Sequence, residues 1–576
     1  MEVGVNSEMV LDLTNLSVAQ VKMMSSISNE IGFDFNALSE DILHHTNKEP
    51  VDMFCNVVSR NPFQSKLFEL CVVVEFVRQN LLIDKSISCV KTNDPDVYNT
   101  LRDSGIGVEV ELVRDNLFLY KIKYVLNPFK DILNILVLVL RYFRSKNSAR
   151  CEKISSAESV VLIDTFMMQN SINAKKYIDR YYTGILDFID PKLESKLFFV
   201  PHITCNFTNQ NLQKIYNNSK ENMIFKSDFL NLTDYFTCLK LLFFNRLYKK
   251  SKFQFRGLNL TKVIHNYTYK ERFNEISFLA LLNFMFIKRL RIENVNVELF
   301  IDWNENQAID KGIVKGVHDF FSGVLVKGYR GFVDNENIFN FHMSPAQYEV
   351  NLGLVPDQII VIGDALKDSV KLYCHDIPVV TGPAFRYMNM YDTIVPKQND
   401  KKSIVVALPI MLHDGLEILK MLASLHQEID FSRFNVLVKP HPAVCFNEVL
   451  LEEFMRKSKK YWSDNYILDM GDFKECMMLS SVLISHGSSV LIEAIAYGVP
   501  VIVLCLNSSI TQNPIPKSID SKIWKLVYNN EELKAAFIQY TNLNEEQRND
   551  IDGIGKEVRL GCFKQVTKSA VQEFLI

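Results

Sequence analysis

Residues Val482 to Leu504 read VLISHGSSVLIEAIAYGVPVIVL. A short apolar run, Val482 to Ser485, stops at His486-Gly487-Ser488-Ser489. A helical period follows in VLIEAIAY, Gly498 closes it, and Val499 to Leu504 is a second apolar run. Strand, tight turn, helix and strand in so short a span predict a parallel βαβ unit, because strands joined through a helix run in the same direction.

The same grammar extends upstream. Ser403 to Pro409 (SIVVALP) is followed by a helical stretch from about Gly415 (GLEILKMLASLH), then by Asn435 to Val438 (NVLV) running into Lys439-Pro440-His441-Pro442. Further back come the apolar runs Met9 to Leu13, Val51 to Val58, Val108 to Val113, Val160 to Ile163, Leu197 to Val200 and Val297 to Ile301. A helical pattern starts at Ser65, after Ser59-Arg60-Asn61-Pro62. Apolar strands alternating with helices predict parallel sheets covered on both faces. The polar stretch Met388 to Lys402 is strand-poor and is the expected linker. The division expected is 1–395 for an N-terminal domain with helical insertions, 396–548 for a second α/β domain and 549–576 for a helical segment packing back on the first.

The chain has 576 residues, enough for two to four domains at roughly 150 residues each. Its 48% hydrophobic content excludes long-range disorder and a disulfide mini-scaffold. A net charge of −3 gives no support for a nucleic-acid partner. The 11 cysteines form no CxxC pair, and several lie in apolar runs, so reduced buried thiols are expected. No signal peptide or membrane span is expected. Asp94-Pro95-Asp96 is a lone DxD and His44-His45 a lone pair, so no metal site and no cofactor are predicted.

In open α/β sheets ligands sit beyond the carboxyl ends of strands. Two such ends face each other in sequence: Lys439-Pro440-His441-Pro442 and His486-Gly487-Ser488-Ser489. Free backbone N–H groups and two hydroxyls where a helix opens suit a phosphate, and Lys439 and His441 add a cation and a donor. Two plainer readings stand beside this: Ser488-Ser489 as an ordinary helix N-cap, and His441 as part of a turn held by prolines.

KPHP followed by ISHGSSVLIEAIAYGVPVIVL resembles the donor half of GT-B glycosyltransferases that build bacterial surface polysaccharides. It is similar to the His-Pro and Ser-Ser motifs of sialyl-, polysialyl- and Kdo transferases, and more loosely to CDP-glycerol polymerases. SRNPFQSKLF (Ser59 to Phe68), VLIDTF (Val161 to Phe166), DRYYTG (Asp179 to Gly184), WNENQAIDKG (Trp303 to Gly312) and FHMSPAQYE (Phe341 to Glu349) look like bacterial surface-carbohydrate biosynthesis proteins of capsule and O-antigen clusters.

The resemblance implies an α/β GT-B fold, two Rossmann-like domains facing across a cleft with C-terminal helices. It implies metal-independent transfer of an acidic sugar, nonulosonate or Kdo type, from a CMP donor to a glycan or lipid-linked acceptor. The alternatives are a UDP- or GDP-sugar or CDP-glycerol donor, or a non-catalytic GT-B-like scaffold. Donor contacts are then Lys439, His441, Pro442, His486, Gly487, Ser488 and Ser489, with Glu493 at the ribose or simply solvated.

Glycosyl transfer needs a carboxylate near the anomeric carbon, as base or nucleophile. Glu305 is the first choice, Asp302 the second and Asp164 the third, each with a helix-cap or solvated-acid reading beside it. His342 and Ser344 are placed between acceptor and donor, with a buried hydrogen-bonded histidine as the plainer reading, and Ser59, Arg60 and Asn61 at an acceptor, with a structural turn equally open. Asp179 and Arg180 read as a structural ion pair. A cytoplasmic enzyme working on lipid-linked acceptors needs membrane contact. Residues 127–150 (NPFKDILNILVLVLRYFRSKNSAR) combine an apolar run with Lys130, Arg141, Arg144, Lys146 and Arg150, and Phe243 to Arg256 is a second basic-aromatic stretch. A buried core helix with a solvated basic end is the plainer reading.

Overall fold

The computed structural model describes residues 9–54, 56–60, 65–113, 117–244, 251–271, 273–333, 343–392, 402–441, 444, 448–471, 473–506 and 511–576. Among these, three parallel sheets and one hairpin form. The first sheet is small: β1 (Met9–Asp12), β2 (Ile87–Thr92) and β3 (Glu109–Leu112), in that order. It carries its own apolar cluster, with Phe35, Phe68 and Val74 buried. This separate layer is absent from the sequence expectation.

The central sheet begins with β4 (Val160–Met167), β5 (Leu197–Ile203) and β6 (Asn222–Met223). A hairpin, β7 (Gln254–Phe255) with β8 (Leu258–Asn259), intervenes. The sheet then continues with β9 (Val297–Trp303), β10 (Leu325–Arg330), β11 (Gln358–Val361) and β12 (Val379–Thr381). Strand order is β12-β11-β10-β9-β4-β5-β6. β4 is buried along nearly its whole length, as a strand covered on both faces must be, which is why VVLID is an unbroken apolar run ending in one acid.

The second large sheet holds β13 (Lys402–Ala407), β14 (Phe434–Lys439), β15 (Tyr466–Leu468), β16 (Ser480–Ser485), β17 (Val501–Leu504) and β18 (Trp524–Val527), ordered β15-β14-β13-β16-β17-β18. Both large sheets are all-parallel and doubly wound. The chain is therefore α/β with two Rossmann-like domains, the two-sheet architecture of the GT-B class.

The switch points lie where strand order reverses. These are between β9 and β4 in the central sheet and between β13 and β16 in the second. Asp302 lies next to the end of β9 and Glu305 just after it, Asp164 lies inside β4 with Thr165, Phe166 and Met167 still in the strand, and His486 to Ser489 follow β16.

The last helices, Glu545–Cys562 and Lys568–Leu575, cross from one sheet to the other. A Cβ on Gly555 would meet the Ile495 carbonyl of the second domain, whereas one on Gly363 of the central sheet would meet Cys562. The Lys564 N–H donates to Ile362 O at 2.6 Å, and Phe574 packs on Tyr329 and Phe385. Both sheets' inner faces share one continuous core.

One expected strand is not a strand. Val51 to Phe54 belong to the helix Pro50–Phe54, followed by the 3-10 turn Asn56–Ser59. Pro50 fits a first helical turn, and the Asp52 carboxylate accepts the Glu49 N–H at 3.2 Å, closing that turn. The expected linker begins as a 3-10 helix, Phe385–Tyr391, while 393–401 lies outside the described residues.

Candidate functional site

The loop after β9 is built around Asp310. Its carboxylate accepts the backbone N–H of Glu305 at 2.8 Å and of Gln307 at 2.9 Å, which fixes the turn into the helix Ala308–Phe320. Asn306 takes the left-handed conformation needed there, φ +54°. This turn presents the Glu305 carboxylate, half-buried, to a cavity of about 1400 Å³. The Trp303 indole N–H donates to one oxygen at 2.9 Å and the Gln307 amide to the other at 2.5 Å. Burial raises the Glu305 pKa against those two donors and the charges of Arg386 and Arg330. Tyr181, His202 and Gln307 share the cavity wall with it.

Asp302 and Asp164, the other carboxylate candidates, lie behind that wall with no exposed surface. They belong to a buried charge cluster. The His202 Nε2 stands 3.1 Å from Asp164 Oδ1, and Lys226 Nζ stands 3.9 Å from it. Lys226 donates to Asn283 Oδ1 at 2.8 Å. Burial pushes Asp302 up to about 8, reinforced by Asp164, and brings Lys226 down to about 8. Burial, with Lys226 beside it, keeps His202 below its ordinary value despite Asp164. Glu305 and His202 are thus the members of these two groups that reach the cavity. The sequence reading assigns His202 no role; it stands two residues past the expected apolar run Leu197 to Val200, inside β5, and that position is the signal that could have found it.

The second part of the site lies across the cleft. Arg180 and Arg386 come from the chain before the second sheet; His441, Ser489 and Glu493 come from the second sheet's strand ends. Burial opposes the Arg386 charge, but Tyr387, Glu493, Tyr181 and Glu305 around it outweigh that and raise its pKa. Burial and Arg386 lower Arg180. Burial, with Arg180 and Arg386 both close, pushes His441 down to about 4. The Tyr387 phenol stands against the Ser489 hydroxyl.

Arg180 is not the ion-pair partner expected for it. The Asp179 carboxylate accepts the N–H groups of Tyr181 and Tyr182 and the Tyr177 hydroxyl, so it is occupied in its own turn. Arg386 carries no motif and was not anticipated.

Gly487 turns with φ +59°, and a Cβ there would lie 2.9 Å from Gln512. Ser488 and Ser489 follow at the turn, half-buried. The helix they open, Val490–Ala496, is short, and the Ser489 side chain makes no capping bond. Neither the N-cap reading nor a strong helix dipole therefore describes this end; the charge comes from the arginines.

Two expected donor contacts turn away. Lys439 donates to Asp469 Oδ2 at 2.9 Å and Gly471 O at 2.8 Å, so it ties down the loop after β15. His486 is buried, its Nδ1 2.7 Å from Leu504 O. Pro442 lies outside the described residues.

The expected acceptor residues are also corrected. Arg60 is fully buried, and its guanidinium bonds Glu349, Asn36 Oδ1 and the Ser344 carbonyl. Ser59 has no exposed surface, and its carbonyl accepts Lys311 Nζ at 3.0 Å. The buried Ser344 hydroxyl donates to Ser369 O at 2.7 Å. Lys311 completes the knot at 2.7 Å from Glu349. A buried carboxylate needs such partners, and its demand draws these side chains inward. Asn61 and His342 fall outside the described residues.

Among the described residues no group of three or more His, Cys, Asp or Glu could hold a metal, and no disulfide joins the described cysteines.

No family model matches the chain, and no curated protein does. Among solved structures it is similar to a UDP-GlcNAc 2-epimerase from Neisseria meningitidis bound to UDP-GlcNAc (12% identity, 72% of this chain and 98% of that one, TM-score 0.40). It is also similar to an alpha,alpha-trehalose-phosphate synthase (UDP-forming) from Burkholderia vietnamiensis (10%, 72% and 98%, TM-score 0.41). A third is the glycotransferase of kitacinnamycin (10%, 72% and 97%, TM-score 0.40). Likenesses this distant say nothing of this chain's ligand.

Proposed function

We propose that the chain is a glycosyltransferase that binds a nucleotide-activated sugar in the cleft, with residues 1–395 as the acceptor half and 396–548 as the donor half. One observation carries this reading. Arg180 and Arg386 from one side face His441 and Glu493 from the other, and Arg386 also acts on Glu305 at the large cavity. Cations for a phosphate and a carboxylate for an acceptor hydroxyl thus stand next to one another.

In this mechanism Arg180 and Arg386 hold the donor phosphate and stabilise the charge that develops as the sugar–phosphate bond breaks. Glu493 stands beside the same two arginines, placed for a ribose hydroxyl of the donor whose phosphate they hold. Glu305 takes the proton of the acceptor hydroxyl as base, or attacks the anomeric carbon itself. Its two N–H donors fix the carboxylate plane.

Two guanidiniums suit a ligand with two neighbouring negative charges. A UDP- or GDP-sugar presents them on its diphosphate. A CMP-linked acidic sugar presents one on phosphate and one on the sugar carboxylate. With Lys439 and His486 turned away, the motif that suggests CMP brings only part of itself to the cleft, so the diphosphate donors stand at least level with it. The surface-polysaccharide role rests on the motif resemblance.

The test is thermal shift with UDP, GDP, CMP and CDP, then turnover with the matching donors. A nucleotide at 100 times its Kd stabilises by about 2.7 kcal/mol. Binding by one nucleotide that is lost in Arg386→Ala supports the site. Binding with no turnover of any donor supports the scaffold reading, and no binding at all overturns the proposal.

A further inference from the structure

The helix Leu117–Ser145 divides lengthwise into three strips. Ile135, Leu138 and Tyr142 face the core and are buried. Val125, Phe129, Leu133, Leu136, Leu140 and Phe143 recur at spacings of three and four and are all exposed. Phe129 keeps 66% of its surface, Leu133 60% and Leu140 52%. At about 1.5 Å per residue this stripe runs roughly 27 Å along the helix. A third strip lies beside it: Lys123, Lys130, Arg141 and Arg144, rotated toward one flank.

A soluble helix with an apolar stripe normally buries that stripe. Here the buried strip is a different one, and the stripe faces out. The plainer reading of a core helix describes only one of the three strips. On the helix Leu232–Phe244 Phe236 is 68% exposed. The Lys146 Nζ joins the two helices by donating to Leu230 O at 2.9 Å and Asn231 Oδ1 at 2.7 Å.

The same helix also reaches the cavity at Glu305. Asn134, Val137 and Arg141 belong to the same helix and line that cavity. The basic flank therefore stands between the exposed stripe and the cavity wall. Among the described residues no helix is long and apolar enough to cross a membrane.

We propose that the helix Leu117–Ser145 lies in the surface of an anionic bilayer, its stripe sunk among the acyl chains and its basic flank on the phosphates. An acidic or apolar protein partner could cover part of this surface. A row of cations running the length of an apolar stripe matches the layered chemistry of an anionic lipid interface along its whole extent. In that orientation the cavity opens at the lipid boundary, where an acceptor carried on a lipid presents its headgroup to Glu305. Two expected lipid contacts drop out: Lys146 is the inter-helix tie, and Arg150 is buried against Asp228 at 2.7 Å. The Phe243 to Arg256 stretch also contributes less than expected. Phe253 and Phe255 are buried, and Arg256 pairs with Asp34 and Glu75.

The test is co-sedimentation of the full chain with vesicles of phosphatidylcholine alone and of equal parts phosphatidylcholine and phosphatidylglycerol. It needs neither donor nor acceptor, so its outcome is separate from that of the transferase reading. Wild type is expected to bind the mixed vesicles and to release them in high salt. Lys130→Glu with Arg144→Glu is expected to weaken binding at least about 25-fold, from about fivefold for each basic residue lost. Leu133→Gln with Leu140→Gln is expected to weaken it at least tenfold, while melting temperature stays unchanged because both side chains are already more than half exposed. Equal recovery in the supernatant with and without anionic lipid overturns the proposal. So does a wild-type dimer that the leucine substitutions convert to monomer without any change in vesicle binding. If a variant fails to fold, the lipid and salt dependence of wild type decides alone.

Discussion

Replacing Glu349 by Gln removes one charge from the centre of the buried knot that joins the small first sheet to the central domain. Burial alone pushes the Glu349 carboxyl up, but Arg60 and Lys311 outweigh it and bring it from 4.5 down to about 2. A fall of about 2.5 units, at about 1.4 kcal/mol each, corresponds to ~3 kcal/mol of stability at neutral pH. That agrees with the roughly 3–5 kcal/mol expected when one partner of a buried pair is removed, since the Arg60 guanidinium stays charged with nothing opposite. For a cooperative unit of several hundred residues the melting temperature falls by roughly 3–4 °C. Because the folded-state value is depressed, the contribution is complete above pH 4.5 and fades as pH falls toward 2. Calorimetric melts at neutral pH, with urea melts between pH 5 and about 2, are expected to show wild type losing an advantage in that window which the variant never had. The exposed pair Lys196–Glu298, 3.0 Å apart, is the control, with Glu298→Gln expected to cost under ~1 kcal/mol. A Glu349→Gln protein with wild-type melting temperature and wild-type acid profile refutes the reasoning. The knot also bears on the site, because the Asn306 amide, next to Glu305, donates to Glu349 at 3.3 Å.

Three further outcomes are expected. Glu305→Gln keeps fold and nucleotide binding but loses turnover by at least ~100-fold, and wild-type turnover falls as pH drops through the raised pKa of Glu305, read from kcat against pH. His441, held near 4 by burial and two arginines, gains a proton more readily once an anion sits between them. Nucleotide affinity therefore strengthens as pH falls toward 5, calorimetry shows proton uptake, and His441→Gln abolishes both. Gly487→Ala forces a Cβ against Gln512 at a left-handed φ, costing ~1–2 kcal/mol and weakening nucleotide binding, checked by melting temperature and titration.

Three strands of the central sheet (β4, β5, β9) and four of the second (β13, β14, β16, β17) were legible because they are short apolar runs ending in turn residues, as in VVLID and VLISHG, whereas β6, β11, β12, β15 and β18 were not anticipated. β10 (LVKGYR) escaped because its Lys327 and Arg330 look like surface residues, whereas both are buried: Lys327 donates to the Phe574 carbonyl at 3.2 Å and Arg330 to the Met343 carbonyl. VDMFCNVV was misread because a β-branched run says little once Pro50 and Asp52 organise a helical turn. Of the site, Glu305, His441, Ser489 and Glu493 follow from position after a strand. Arg180 and Arg386 do not, since their role depends on the folded cleft bringing distant segments together. Lys439 and Arg60 misled for the opposite reason: each stands in a telling motif, yet a carboxylate distant in sequence, Asp469 or Glu349, claims it.

The most direct test of the central claim is donor consumption in the cleft. Wild type and Arg386→Ala are each incubated with UDP-, GDP- and CMP-linked sugars and CDP-glycerol, and the released nucleotide is measured by mass spectrometry. The account predicts that wild type releases the nucleotide of one donor class, and that Arg386→Ala, still folded, does so at least tenfold more slowly, from the roughly 1.5–3 kcal/mol of a hydrogen bond to a charged group. Release by wild type and Arg386→Ala at equal rates, or by neither from any donor, contradicts it.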